Sequence, residues 1–408
     1  MEDLPTSHLP FVFLAFIAVA QRLMCAPVAI CVASWGLIAS SQSLAFSFPS
    51  MIVLRACLGI GEAAFVGIPF YLSFFYRRDE LAFRTGLFIA AAPLATSVSG
   101  SIAWAIARVG RHIPISPWRT LFLLEGFPSI IASVFVWSNI PDRPETATFL
   151  TQRQQNVASL RLRSGCGASQ SRSQEPQFDR TLWDGIRQTL LDPKAYLTAM
   201  MFFCCNVAFA SLPVFLPTIV EEIGYSTIAS QALTAPPYLL AFCTVITTAW
   251  LSDHLQARSI FIVFHALLAS FGYAMMALTG AWRAGPLIRY LGVYPAAMGF
   301  FSAITIIITW TLNNQEGELS RGVSLSLLNY IGQLGPLIGV HLYPESDGPY
   351  FTSGMTWCAV FMGAVAVLAL LTRLVLAKEN RVRKASWLKR EENGSCDASP
   401  TNGFLFIV

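Results

Sequence analysis

Two ionisable residues stand where charge is expensive. Arg55 and Glu62 interrupt the apolar run 50–75. A charge inside a membrane-spanning segment is a functional candidate by default, because it must be paired or face water. Seven residues is about two helical turns, so both side chains project from one face. A guanidinium is permanently charged and offers a planar fork that fits a carboxylate. A glutamate kept from water takes up a proton readily, since burial disfavours its charged form. One group to hold an anion and one to carry a proton are the parts that anion–proton cotransport needs. The structural alternative is an ion pair, between the two or with a neighbouring helix.

Further polar residues sit in or beside apolar runs. Asn313 and Asn314 close the run 287–311, and their amides can bind a polar ligand or tie helices together. Tyr71 and Tyr238 are read as lining a cavity. With Arg55 these four make up the candidate substrate-binding set, and Glu62 is the proton-coupling candidate. His265 is read as a core histidine, and Glu125 as a partner of Arg119 or a cap for a broken helix. The nine cysteines show no metal-type spacing and no disulfide framework. No nucleophile–base pair, metal cluster or nucleotide-binding glycine loop occurs. No catalytic residue, metal, cofactor or ATP is therefore expected, and the chain is not read as an enzyme.

The elements that must position these residues follow from composition. Of 408 residues, 54% are hydrophobic and 12% charged, about half the ~25% charge of a soluble domain. This excludes a soluble globular protein, a disordered chain, a nucleic-acid binder and a small disulfide scaffold. The apolar content is enough for about eleven spans of about 20 residues. The spans are read at 8–20, 26–48, 50–75, 86–107, 119–140, 195–217, 231–251, 259–281, 287–311, 323–343 and 354–376. The first is too short to cross. Ala18-Val19-Ala20 resembles a signal-peptide cleavage site, but Glu2 and Asp3 stand where positive charge belongs, so a truncated transmembrane helix is the preferred reading.

Assigning loops to alternate sides puts 21 of the 27 Lys and Arg on one side and five on the other, with Arg55 inside a span. The positive-inside rule then places the C-terminal tail and the segment 141–194 in the cytosol. That segment is rich in Ser, Gln and Arg and reads as a flexible linker, with Thr181–Leu191 patterned to lie along the membrane surface. The expected organisation is an N-terminal bundle over 1–140, a linker over 141–194, a six-helix bundle over 195–377 and a tail over 378–408. Gly59, Gly61, Gly67, Gly332, Gly335 and Gly339 are read as sites of close helix approach.

Several motifs occur in order along these elements. They include Arg55-Ala-Cys-Leu-Gly-Ile-Gly-Glu62 with Pro69 and Tyr71 after it, Trp118-Arg119-Thr-Leu-Phe122-Leu-Leu-Glu125-Gly126, and Pro141-Asp142-Arg-Pro144-Glu145. Leu216-Pro217-Thr-Ile219, Pro236-Pro237-Tyr238, Leu251-Ser252-Asp253 and Trp310-Thr-Leu-Asn313-Asn314 follow. In these the chain resembles the major facilitator superfamily, specifically the fungal anion:cation symporters related to allantoate and nicotinate permeases, over roughly residues 20–385.

The resemblance implies an all-α polytopic membrane protein of two helical bundles, here about five plus six helices against the family's six plus six. It implies that a first transmembrane helix is lacking and that the gating motif near Gln21–Cys25 is eroded. It further implies that the Arg55/Glu62 pair serves substrate binding and proton coupling, and that Asp253 and Arg258 act as a gating latch between helices. Ala249 stands where a glycine is usual in that latch.

The leading expectation is a secondary active permease. It takes up a small organic anion, a carboxylate such as nicotinate or allantoate, together with protons by alternating access, the substrate binding near the midplane. Its expected partners are that anion, protons and the lipid bilayer, with no nucleic acid, and it is expected to be a monomer in the plasma membrane. The alternative is a non-transporting sensor or an inactive truncated paralogue, which the missing helix would favour and the retained Arg55 and Glu62 would not.

Overall fold

The computed structural model describes residues 25–62, 67–109, 115–141, 143–147, 149–165, 178–210, 212, 216–217, 220–221, 226–282, 285–348, 350–392 and 405–408. The expected first span, 8–20, and the gating remnant at 21–24 lie outside them. The described residues are helical and contain no strand. Seven of their helices are long and apolar enough to cross a membrane. The protein is an all-α, multi-pass membrane protein.

In chain order the helices are α1 (Cys25–Gln42), α2 (Phe48–Glu62), α3 (Ile68–Leu72), α4 (Leu81–Val109) and α5 (Pro117–Asn139). Then come α6 (Gln152–Gly165), α7 (Phe178–Leu190), α8 (Pro193–Phe209) and α9 (Thr227–Leu233). The last are α10 (Ala235–Leu255), α11 (Arg258–Ala281), α12 (Pro286–Asn313), α13 (Glu318–Gly332), α14 (Gly335–Gly339) and α15 (Thr352–Glu392). Each expected span from 26–48 onward overlies one or more of them.

Two compact units can be told apart: residues 1–75 with 105–162, and residues 76–104 with 163–408. In the first unit α1 packs on α5 through small residues. A Cβ on Gly36 would lie 2.8 Å from the backbone nitrogen of Ile130, and one on Gly126 would collide with Ser40. Where apolar surroundings give no hydrophobic drive between helices, such close backbone approach supplies the dispersion contact that holds them. The other face of α5 presents Phe127, Val134, Phe135 and Trp137 outward, as a lipid-facing surface should.

In the second unit α12 is the central helix, and every residue from Gly299 to Asn313 is buried. Its hydroxyls cost little there, because Thr305, Thr309 and Thr311 donate to the carbonyls of Phe301, Thr305 and Ile307 one turn back. α11 crosses α12 at glycines: a Cβ on Gly272 would stand 2.5 Å from the Ala296 nitrogen, and one on Gly299 would collide with the His265 carbonyl and the Ala269 backbone. Gly299→Leu should therefore cost more than the ~1–3 kcal/mol of ordinary overpacking, because backbone cannot yield, and should lower the thermal unfolding midpoint in detergent. Gly59→Ala, with nothing within 4 Å of the added methyl, should leave it unchanged. Equal midpoints for the two variants would show the crossing to be loose.

Within 141–194 the described residues include two helices, α6 and α7. α6 begins at one half of a capping box. The Gln154 side-chain oxygen accepts from the Thr151 nitrogen at 2.9 Å and from its hydroxyl at 3.0 Å, which satisfies donors the helix start leaves open. The Gln, Arg, Ala and Leu that follow are strong helix formers. α7 covers the stretch expected to be amphipathic, and its Thr189 hydroxyl meets that of Ser320 on α13 at 3.1 Å.

Candidate functional site

The candidates of the first unit lie on α2 and α3. Arg55 and Glu62 are both exposed on α2. The Arg55 guanidinium lies 5.9 Å from the centre of the Phe122 ring on α5. No ion pair joins Arg55 and Glu62, and neither pairs with another described residue. That leaves a cation and a carboxylate two turns apart on one face, held by a helix and not by each other. Tyr71, on α3, is committed elsewhere: its hydroxyl donates to the Pro141 carbonyl at 2.6 Å, and its ring lies against Phe75.

In the second unit Tyr238 lies in the first turn of α10 at 1% exposure. Its ring meets Phe301 edge-on at 6.2 Å, in a cluster where Phe209 stacks on Phe300 at 4.4 Å. The hydroxyl has no partner among the described residues. An unpartnered buried hydroxyl costs about 1–3 kcal/mol, so a polar ligand group at that point would recover energy. Asn313 is fully buried, and both of its amide atoms are likewise unpartnered. It is twelve residues beyond Phe301, about 18 Å along the helix, so Asn313 and Tyr238 act at different depths. Asn314 is engaged with the backbone of Ile407. His265 is a buried core residue whose Nε2 lies 2.8 Å from the Thr248 hydroxyl.

The most completely built polar cluster surrounds Asp253 and Arg258. Both carboxylate oxygens of Asp253 accept from backbone N–H groups at the start of α4: Ala82 at 3.2 Å and Phe83 at 2.6 Å. The first turn of a helix has donors with no partner inside the helix and carries the positive end of its dipole. Asp253 thus caps a helix distant in sequence. Arg258, 0% exposed, pairs with Asp253 at 2.5 Å and donates to the Ser252 hydroxyl at 2.9 Å and the Arg78 carbonyl at 3.4 Å.

The tight turn between α10 and α11 is made by Gln256 in the left-handed region, with φ 50°. The Gln256 side chain reaches the Asp253 carbonyl at 2.6 Å and the Asp79 carbonyl at 3.2 Å. From sequence, Ser252 stands only as part of Leu251-Ser252-Asp253 and Gln256 is not named; a hydroxyl and an amide within a turn already carrying Asp253 and Arg258 are the available signal. Just above, the Ala249 methyl faces Gly86 of α4, where a second methyl would collide with it. The close approach is provided by α4.

The Major Facilitator Superfamily profile matches residues 10–340. Relatives include the MFS transporter prlL of a fungal species (strain NRRL 50135), 29% identical over 373 residues, which are 89% of this chain and 72% of that protein. They also include the high-affinity nicotinic acid transporter of Saccharomyces cerevisiae, 25% identical over 357 residues, 87% of this chain and 64% of that protein. Among solved structures, the proton:xylose symporter XylE of E. coli superposes with a TM-score of 0.62 at 14% identity, covering 87% of this chain and 80% of that one.

Proposed function

The chain belongs to the major facilitator superfamily, a family of secondary transporters and not of enzymes, and from that premise we propose that it moves a small organic anion, a monocarboxylate such as nicotinate, together with protons. One observation carries this reading: Arg55 and Glu62 share a face of α2, two turns apart, and neither is neutralised by the other. A bidentate carboxylate needs a fork with no standing partner, and a proton carrier needs a carboxylate that is not locked to a cation. Within the second unit the unpartnered Tyr238 hydroxyl and, at a different depth, the unpartnered Asn313 amide are separate candidate points for a polar group. Tyr71 and Asn314 serve the fold in the state described. The similarity to a nicotinic acid transporter supports the substrate class.

In this reading Asp253 and Arg258 form the gating latch. They hold the start of α4 to the α10–α11 turn, and their release accompanies the conformational cycle. The 21-to-5 distribution of Lys and Arg supports a cytosolic placement of that turn, of 141–194 and of the tail. Membrane-impermeant thiol labelling of intact cells should fail at Ser169→Cys and Ser386→Cys. Efficient labelling of either would reverse the orientation.

The function itself is tested by uptake of radiolabelled nicotinate, allantoate and related acids in cells expressing the chain, with and without a protonophore. Accumulation of at least one acid that collapses with the protonophore supports the proposal. Accumulation indifferent to the protonophore, or restricted to uncharged solutes, refutes it.

A further inference from the structure

Residues 405–408 lie in a crevice of the second unit that reads them as a peptide. Asn380 on α15 pairs with both backbone groups of Phe406: its side-chain oxygen accepts from the Phe406 nitrogen, and its amide donates to the Phe406 carbonyl, each at 2.9 Å. Asn314, at the end of α12, does the same for Ile407, at 2.8 Å and 3.1 Å. The Ile407 carbonyl also accepts from the indole nitrogen of the fully buried Trp310 at 2.7 Å. Arg78, three residues before α4, donates to the Leu405 carbonyl at 3.2 Å.

The Phe406 ring is 6% exposed and lies under two cations, Lys194 Nζ and the Arg383 guanidinium, each 4.4 Å from its centre. Glu379 holds both cations, at 2.9 Å and 3.1 Å. Two amides that each satisfy one residue's N–H and C=O recognise extended backbone. A ring under paired cations recognises an aromatic side chain. The chemistry is that of a peptide-recognition site.

We infer that the crevice formed by α8, α12, α15 and the start of α4 is a peptide-binding site whose resident ligand is the chain's own Leu405–Val408, which acts as a strap tying the ends of those helices together. Three separate elements donate hydrogen bonds to one tetrapeptide and a fourth, α8, places Lys194 over its ring, so a seated strap resists any motion that separates Arg78, Asn314 and Asn380. Arg78 also supplies the carbonyl that Arg258 holds, so the strap and the Asp253 latch restrain the same helix start. That the restraint slows transport rests on the function proposed above; the binding and the tie do not.

Hydrogen exchange followed by mass spectrometry on the intact chain tests the inference, comparing wild type with Phe406→Ala and with the double variant Asn314→Ala/Asn380→Ala. Each backbone amide held by an Asn side chain gains roughly one net hydrogen bond of about 1 kcal/mol. In wild type the amides of Phe406 and Ile407 should therefore exchange about fivefold more slowly than in a synthetic peptide of residues 401–408. Both variants should lose that protection, and segments 78–84 and 310–316 should exchange faster in Phe406→Ala.

A fluorescent peptide of residues 401–408 should bind the Phe406→Ala chain and not the wild type. Wild-type exchange at 405–408 as fast as in free peptide overturns the inference. So does a peptide that binds both chains equally or neither. Faster uptake by Phe406→Ala would extend the strap to transport. If no form transports any acid, the function proposed above fails while the exchange data still decide the strap.

Discussion

Arg55→Ala should abolish saturable uptake of the carboxylate substrate, and Arg55→Lys should recover little of it. The guanidinium is the sole cation of α2, and nothing on that face replaces it. A charge-assisted hydrogen bond is worth about 1.5–3 kcal/mol, so losing a bidentate contact should weaken apparent affinity by about 10- to 100-fold or more. Lysine keeps the charge and loses the fork.

Glu62→Gln should separate the two functions. It mimics the protonated acid permanently, so substrate should still exchange across the membrane in counterflow, while proton-driven accumulation disappears. Because no ion pair joins the two residues, Arg55→Ala and Glu62→Gln should each leave the unfolding midpoint within experimental error. If either one lowers it sharply and the double variant restores it, Arg55 and Glu62 are a structural pair and the coupling assignment fails.

The opposite pattern is expected at the latch. Asp253→Ala removes the partner of a guanidinium that is 0% exposed. Breaking one side of a buried pair costs about 3–5 kcal/mol, and losing the cap on α4 adds about 1 kcal/mol. The variant should therefore unfold at a markedly lower temperature. Asp253→Asn keeps an acceptor for one N–H of α4 and removes the charge, so it should be less destabilised while its uptake kinetics change.

Asp253→Ala/Arg258→Ala should be more stable than the sum of the single variants predicts, since neither charge is then stranded. Thermal unfolding of the four proteins in detergent measures this, alongside uptake rate and equilibrium binding. Additive losses would mean that Asp253 and Arg258 act independently. Unaltered uptake by Asp253→Asn would remove the latch from the cycle.

Much of this was written in the sequence, but unevenly. The apolar runs placed the helices because in lipid a spanning backbone must satisfy its own hydrogen bonds, and that constraint leaves little freedom. Arg55 and Glu62 were legible as a pair on one face because helix periodicity alone fixes it. Asp253 was legible as a residue beside a helix terminus, but the first-turn N–H it accepts from, that of Ala82, lies 171 residues away, and only tertiary packing discloses that.

The α6 helix could have been read from the spacing of Thr151 and Gln154, a helix-start signal overshadowed by the polar composition around it. Asn314 and Tyr71 show the limit of reasoning from residue type. An amide and a hydroxyl beside apolar runs are equally suited to a ligand or to backbone, and here the Ile407 and Pro141 backbones claim them. Nothing in the local pattern of Phe406 announces its pocket, because Lys194 and Arg383 come from two separate helices.

The central claim, coupling of an anion to protons, is tested most directly with the purified chain in liposomes loaded with a pH-sensitive dye. An inward gradient of nicotinate, or of whichever acid gives uptake in cells, is imposed at equal pH on both sides, with membrane potential clamped. The account predicts acidification of the lumen that follows substrate entry and is lost in Glu62→Gln, although that variant still exchanges substrate. Substrate entry with no change in lumenal pH, or the same acidification in Glu62→Gln, would contradict it.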